Sequence, residues 1–69
     1  MNAGARGEVA EAFGAMGDVL VKAGNKQPAL AAYQEAITIL TALEREGRAN
    51  SISRMEMERV REAARKLGS

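Results

Sequence analysis

Apolar side chains return every three or four positions along most of this chain, and the pattern is interrupted twice. Val9, Phe13, Met16, Leu20 and Ala23 share one face of a first helix expected over residues 8–23, with Ala12 and Val19 widening that face. Glu8 and Glu11 stand in its first turn, where carboxylates complement the helix dipole. Ala23-Gly24-Asn25-Lys26 reads as a stop, because glycine accepts the left-handed conformation that follows a helix end. Pro28 then suits the first turn of a second helix, where its missing N–H is not needed. So short a turn makes the two helices antiparallel neighbours.

The second helix is expected over residues 27–46. Ala29, Tyr33, Ala36, Leu40 and Leu43 form its stripe, and Gly47 ends it. Gly47-Arg48-Ala49-Asn50 reads as a loop. Ser53-Arg54-Met55-Glu56 has the capping-box pattern at the start of a third helix, with Ser51 as an alternative cap. Met57, Val60, Ala64 and Leu67 mark the apolar side of that helix. The expected architecture is all-α. Residues 1–7 form a frayed end, residues 8–47 a helical hairpin, and residues 48–69 a loop and a C-terminal helix.

The second stripe is wider than one neighbouring helix can cover. Leu30, Ile37, Ile39 and Leu43 cannot all face the first helix, so the third helix or a second subunit must cover the remainder. Leaving such side chains in water forgoes ~1.5–3 kcal/mol each. Leu30, Ile37, Ile39, Leu43, Met57, Val60 and Leu67 are therefore the candidate surface for self-association, with the third helix either folded back or exchanged between chains.

Composition narrows the chemistry. Sixty-nine residues allow one domain, whose core supplies only ~3–5 kcal/mol of net stability. Cysteine and histidine are both absent, which excludes disulfides, thiolate metal sites and the commonest general base. No apolar run approaches a membrane span or the core of a secretion signal, so a cytoplasmic protein is expected. The net charge of +1 does not by itself point to nucleic acid or membrane.

The hairpin residues carry a resemblance. Phe13, Met16, Gly17, Leu20, Ala29, Tyr33 and Ala36 stand in the order and spacing of the tetratricopeptide repeat. In that pattern Gly17 and Ala29 let the two helices approach closely, while Phe13 and Tyr33 fill the space between hairpins. A glycine inside a helix costs roughly 1 kcal/mol relative to alanine, so Gly14 and Gly17 both need a packing reason. The repeat supplies one for Gly17 and none for Gly14. The resemblance spans about residues 10–43. Thr41 replaces the closing proline, and no second repeat follows at the usual period.

The resemblance implies a protein-binding module whose groove is lined by the first helix, here Glu11, Gly14, Ala15, Asp18, Val21 and Lys22. Members that clamp a chain terminus present lysine and asparagine at such positions, where this chain has Gly14 and Asp18, so a partner helix or a second copy of the chain suits the groove better than a clamped peptide end. The alternative is a small helical regulator that contacts nucleic acid through Arg54, Arg59, Arg61, Arg65 and Lys66. Glutamates interleave with these cations, and stacking aromatics are lacking. No enzyme activity, small-molecule substrate or cofactor is expected. Gly14-Ala15-Met16-Gly17 lacks the lysine and hydroxyl of a phosphate loop, and the serines and threonines have no activating base.

Overall fold

A computed structural model describes residues 3–68 of the chain. It contains three helices and, among the described residues, no strand: α1 (Ala3–Lys22), α2 (Lys26–Arg45) and α3 (Ser51–Gly68). α1 begins at Ala3, five positions ahead of the expected Glu8, so most of the end expected to fray is helical; Met1 and Asn2 lie outside the described residues.

Both interior stops are glycine-based. Gly24 has φ +80° and Gly47 has φ +71°. Gly24 N–H donates to Val21 O (3.0 Å) and Asn25 N–H to Leu20 O (2.8 Å). Gly47 N–H donates to Glu44 O (3.0 Å) and Arg48 N–H to Leu43 O (2.9 Å). These paired bonds satisfy carbonyls that the helix ends would otherwise leave open. The start of α3 differs from the capping-box expectation. Asn50 is the cap, its Oδ1 accepting from Ser53 N–H at 2.8 Å, and Glu56 turns to Arg59 instead of reaching back to the helix start.

α2 is the central helix, running antiparallel to both neighbours. Ala10 meets Leu40 and Leu43 at one end of the hairpin, while Gly17 meets Tyr33 further along it. α3 returns along α2, placing Met57 against Leu43 and Val60 against Tyr33 and Ala36. The extents of 34 × 21 × 15 Å are unequal in cross-section, as in a bent row of helices rather than a closed triangular bundle.

The inward face of α1 is not the expected one. Ala10, Gly14 and Gly17 are buried, whereas Val9, Met16 and Val19 are 43%, 50% and 65% exposed. The inward face is thus turned by one residue, ~100° of helix. α1 has apolar residues on nearly all sides, so periodicity alone does not choose the face; close packing does, by seating the small residues against α2. Met16 is consequently not part of the hairpin packing, and Ala23 is exposed.

The surplus apolar side chains of α2 are partly covered within the chain. Leu43, Met57 and Val60 are each at most 6% exposed, and Ile37, Ile39 and Leu67 are half-buried against the two core clusters. Of the two covers left open for this stripe, α3 supplies one: its Met57, Val60 and Leu67 pack on the side of α2 that carries Leu43, Ile37 and Ile39. Leu30 is half-buried.

Candidate functional site

Tyr33 is the point at which all three helices meet. Its ring lies over Gly17, where an added Cβ would stand 2.5 Å from Cε1 and 2.7 Å from Cδ1. The ring is 2% exposed and packs with Ala36 and Val60, so it fills the space between α1, α2 and α3. Its hydroxyl donates to Asp18 Oδ1 at 2.6 Å. Burial foremost, then the hydrogen bond and negative charge of Asp18, pushes the phenol up to about 12, with Arg59 opposing.

Arg59 joins α3 to this point. Its Nη1 donates to Asp18 Oδ2 at 3.1 Å, and its Nη2 donates to Glu56 Oε1 at 2.7 Å. The hydrogen bond that Arg59 donates to Glu56, followed by the charges of Glu56 and Asp18, raises Arg59 further above its usual range, against the opposing effect of burial. Gly14 lies beneath the same cluster: a Cβ there would meet Glu56 Oε1 at 2.8 Å and Arg59 Nη2 at 3.1 Å. This crossing of α3 over α1 is the packing reason for Gly14 that the repeat pattern does not supply.

The candidate groove of α1 is therefore divided. Gly14 is buried beneath α3, and Asp18 is half-buried and bound by Tyr33 and Arg59. Ala15, Val21 and Lys22 are exposed. Exposed Glu11 lines a cavity of about 300 Å³ between the start of α1 and the start of α3, floored by Leu40 and Leu43. Of the repeat-signature residues, Gly17, Ala29, Tyr33 and Ala36 are buried, Phe13 and Leu20 are half-buried, and Met16 faces outward.

Two features lay outside the expected sites. Asn50 caps α3, although the sequence pattern favoured the nearby serines. The exposed face of α1 carries Val9, Ala12, Met16 and Val19, alternating at three and four residues, and exposed Ala23 follows at the same spacing in the turn after it. The sequence shows this spacing plainly, but the same positions read equally well as core. On α3, Arg59 and Arg65 are paired with carboxylates, Arg65 with Glu62.

Among the described residues no cluster of acidic side chains is arranged to hold a metal ion, and no helix is long and apolar enough to cross a membrane. No buried side-chain nitrogen or oxygen among them lacks a hydrogen-bond partner. Comparison with family models, curated proteins and solved structures gives no match to this chain.

Proposed function

We propose that this chain is a protein-interaction module, a tetratricopeptide-like hairpin closed by a third helix, which self-associates or holds a partner helix or peptide. The observation that carries this reading is the outer face of α1. Val9, Met16 and Val19 are 43–65% exposed there, although α3 covers part of the wide apolar stripe of α2. A single exposed apolar residue is ordinary, but an aligned series along one helix is a recognition surface of the helix-packing type. The positions resembling a peptide groove support less, since α3 and Tyr33 occupy Gly14 and Asp18.

The nucleic-acid alternative finds less support, because Arg59 and Arg65 are held by Asp18, Glu56 and Glu62. Light scattering between ~10 and ~500 µM, where short helical contacts associate, tests the reading. The expected result is a mass above that of one chain, or a monomer that gains mass on adding an amphipathic helical peptide. A monomer that binds no helix over this range sinks the reading.

A further inference from the structure

The outer face of α1 has a more specific character than exposed hydrophobicity. Val9, Ala12, Met16, Val19 and Ala23 follow the alternating three- and four-residue spacing of a coiled-coil seam. All five are exposed. Half-buried Phe13 and Leu20 border the seam on one side; exposed Glu8, Ala15 and Lys22 border it on the other. The polar flank thus carries a negative charge near one end and a positive charge near the other, seven residues either side of Ala15.

We infer that this seam binds the same seam of a second copy, with the two α1 helices antiparallel about a two-fold axis that passes between Ala12 and Met16. The charges choose both occupant and direction. In an antiparallel pair Val9 lies opposite Val19 of the partner, Ala12 lies opposite Met16 of the partner, and Glu8 comes beside Lys22 of the partner. The two-fold axis repeats every contact, so one acidic and one basic residue make two complementary pairs. A parallel pair would set the flank of Glu8 and Lys22 against Phe13 and Leu20 of the partner, leaving both charges without a complementary charge across the contact. Ala12 permits close approach of the helix backbones near the axis, and the folded domain already holds α1 helical, so the contact orders little additional chain. The seam lies apart from the α3 contact at Gly14 and Asp18, so pairing leaves the Tyr33–Asp18–Arg59 cluster in place.

This inference rests on the interaction-module reading and is tested separately from it. The chain contains no cysteine, so single introduced thiols report only on their own surroundings. Val9→Cys and Val19→Cys chains of different mass are mixed and oxidised, with Met55→Cys, 70% exposed on α3, as the control. The expected product is the mixed Val9–Val19 disulfide, about tenfold above either like-with-like disulfide and above the control. Light scattering supplies the second arm. Lys22→Glu or Glu8→Lys alone should weaken dimerisation ~2–5-fold, as exposed ion pairs do, and the two together should restore it. Circular dichroism verifies that these surface variants remain helical. A dimer that ignores the charge changes, or like-with-like disulfides in excess, overturns the antiparallel seam while leaving the interaction module standing. A chain that stays monomeric overturns the seam, and the module falls as well if no helix binds.

Discussion

At the scale of single residues, the chain contains a graded set of close approaches. Gly17 is the tightest, because the obstacle to a Cβ is a buried aromatic ring 2.5–2.9 Å away. Gly17→Ala would gain roughly 0.5–1 kcal/mol in helix propensity, but overpacking against Tyr33 costs roughly 1–3 kcal/mol. The expected net loss is about 1 kcal/mol or more, seen as a fall in Tm of at least about 4 °C. Gly14→Ala meets the movable ends of Glu56 and Arg59, and its two effects should nearly cancel. Gly7→Ala meets nothing within 4 Å and should stabilise by ~0.5–1 kcal/mol. Thermal unfolding of the three variants checks the order; an unchanged or higher Tm for Gly17→Ala would show that the ring does not resist it.

Tyr33 gives the residue scale a pH dependence. Folding favours the neutral phenol, lifting its pKa from 10.0 to about 12. The stability this contributes is complete below pH 10 and is lost as pH rises through 12. Two pKa units correspond to ~2–3 kcal/mol, comparable with the whole stability of a domain this small. Tyr33→Phe removes the hydrogen bond to Asp18, costing about 1 kcal/mol at neutral pH. It also removes the titration. Denaturant unfolding should therefore find the variant weaker than the parent at pH 7 and stronger at pH 12; parallel pH profiles would contradict the assignment.

At the scale of elements, legibility followed the physical source of each signal. The stops at Gly24 and Gly47 were plain in the sequence because a positive φ restricts the choice of residue. The inward side of α2 was plain because Ala29, Tyr33, Ala36, Leu40 and Leu43, the centre of its wide apolar stripe, are the side chains that are buried. The inward side of α1 was not, because its valines and methionine resemble core residues while alanine and glycines do the packing. The cap of α3 was missed for a local reason: Asn50, Ser51 and Ser53 are all good caps, and only the chain path selects Asn50. Asn50→Ala should destabilise the protein by ~0.5–2 kcal/mol, and Ser53→Ala by much less. Equal losses in a paired melt would return the cap to the serine.

At the scale of the whole molecule, the sequence posed the choice between α3 and a second subunit as cover for α2, without deciding it. The seat of α3 depends on distant partners, Val60 on Tyr33 and Arg59 on Asp18, and residue spacing along one helix does not encode such pairings. The resulting site also differs in kind from the sequence reading. Residues chosen as a groove are partly roofed, residues chosen as an interface are either core (Leu43, Met57, Val60) or half-buried (Leu30, Ile37, Ile39, Leu67), and the open apolar seam lies on the face first assigned inward.

The bent row of helices has a consequence for how the fold opens. α2 has a neighbour on both sides, whereas α3 depends on α2 and a narrow crossing of α1 near Gly14. α3 can therefore detach as a cooperative unit while α1 and α2 remain paired, giving its backbone amides faster solvent exchange than those of α2. That partly opened form would bare Leu43 and Tyr33 beside the seam already exposed on α1. Arg59, through its contacts with Asp18 and Glu56, helps to keep this second sticky surface out of circulation.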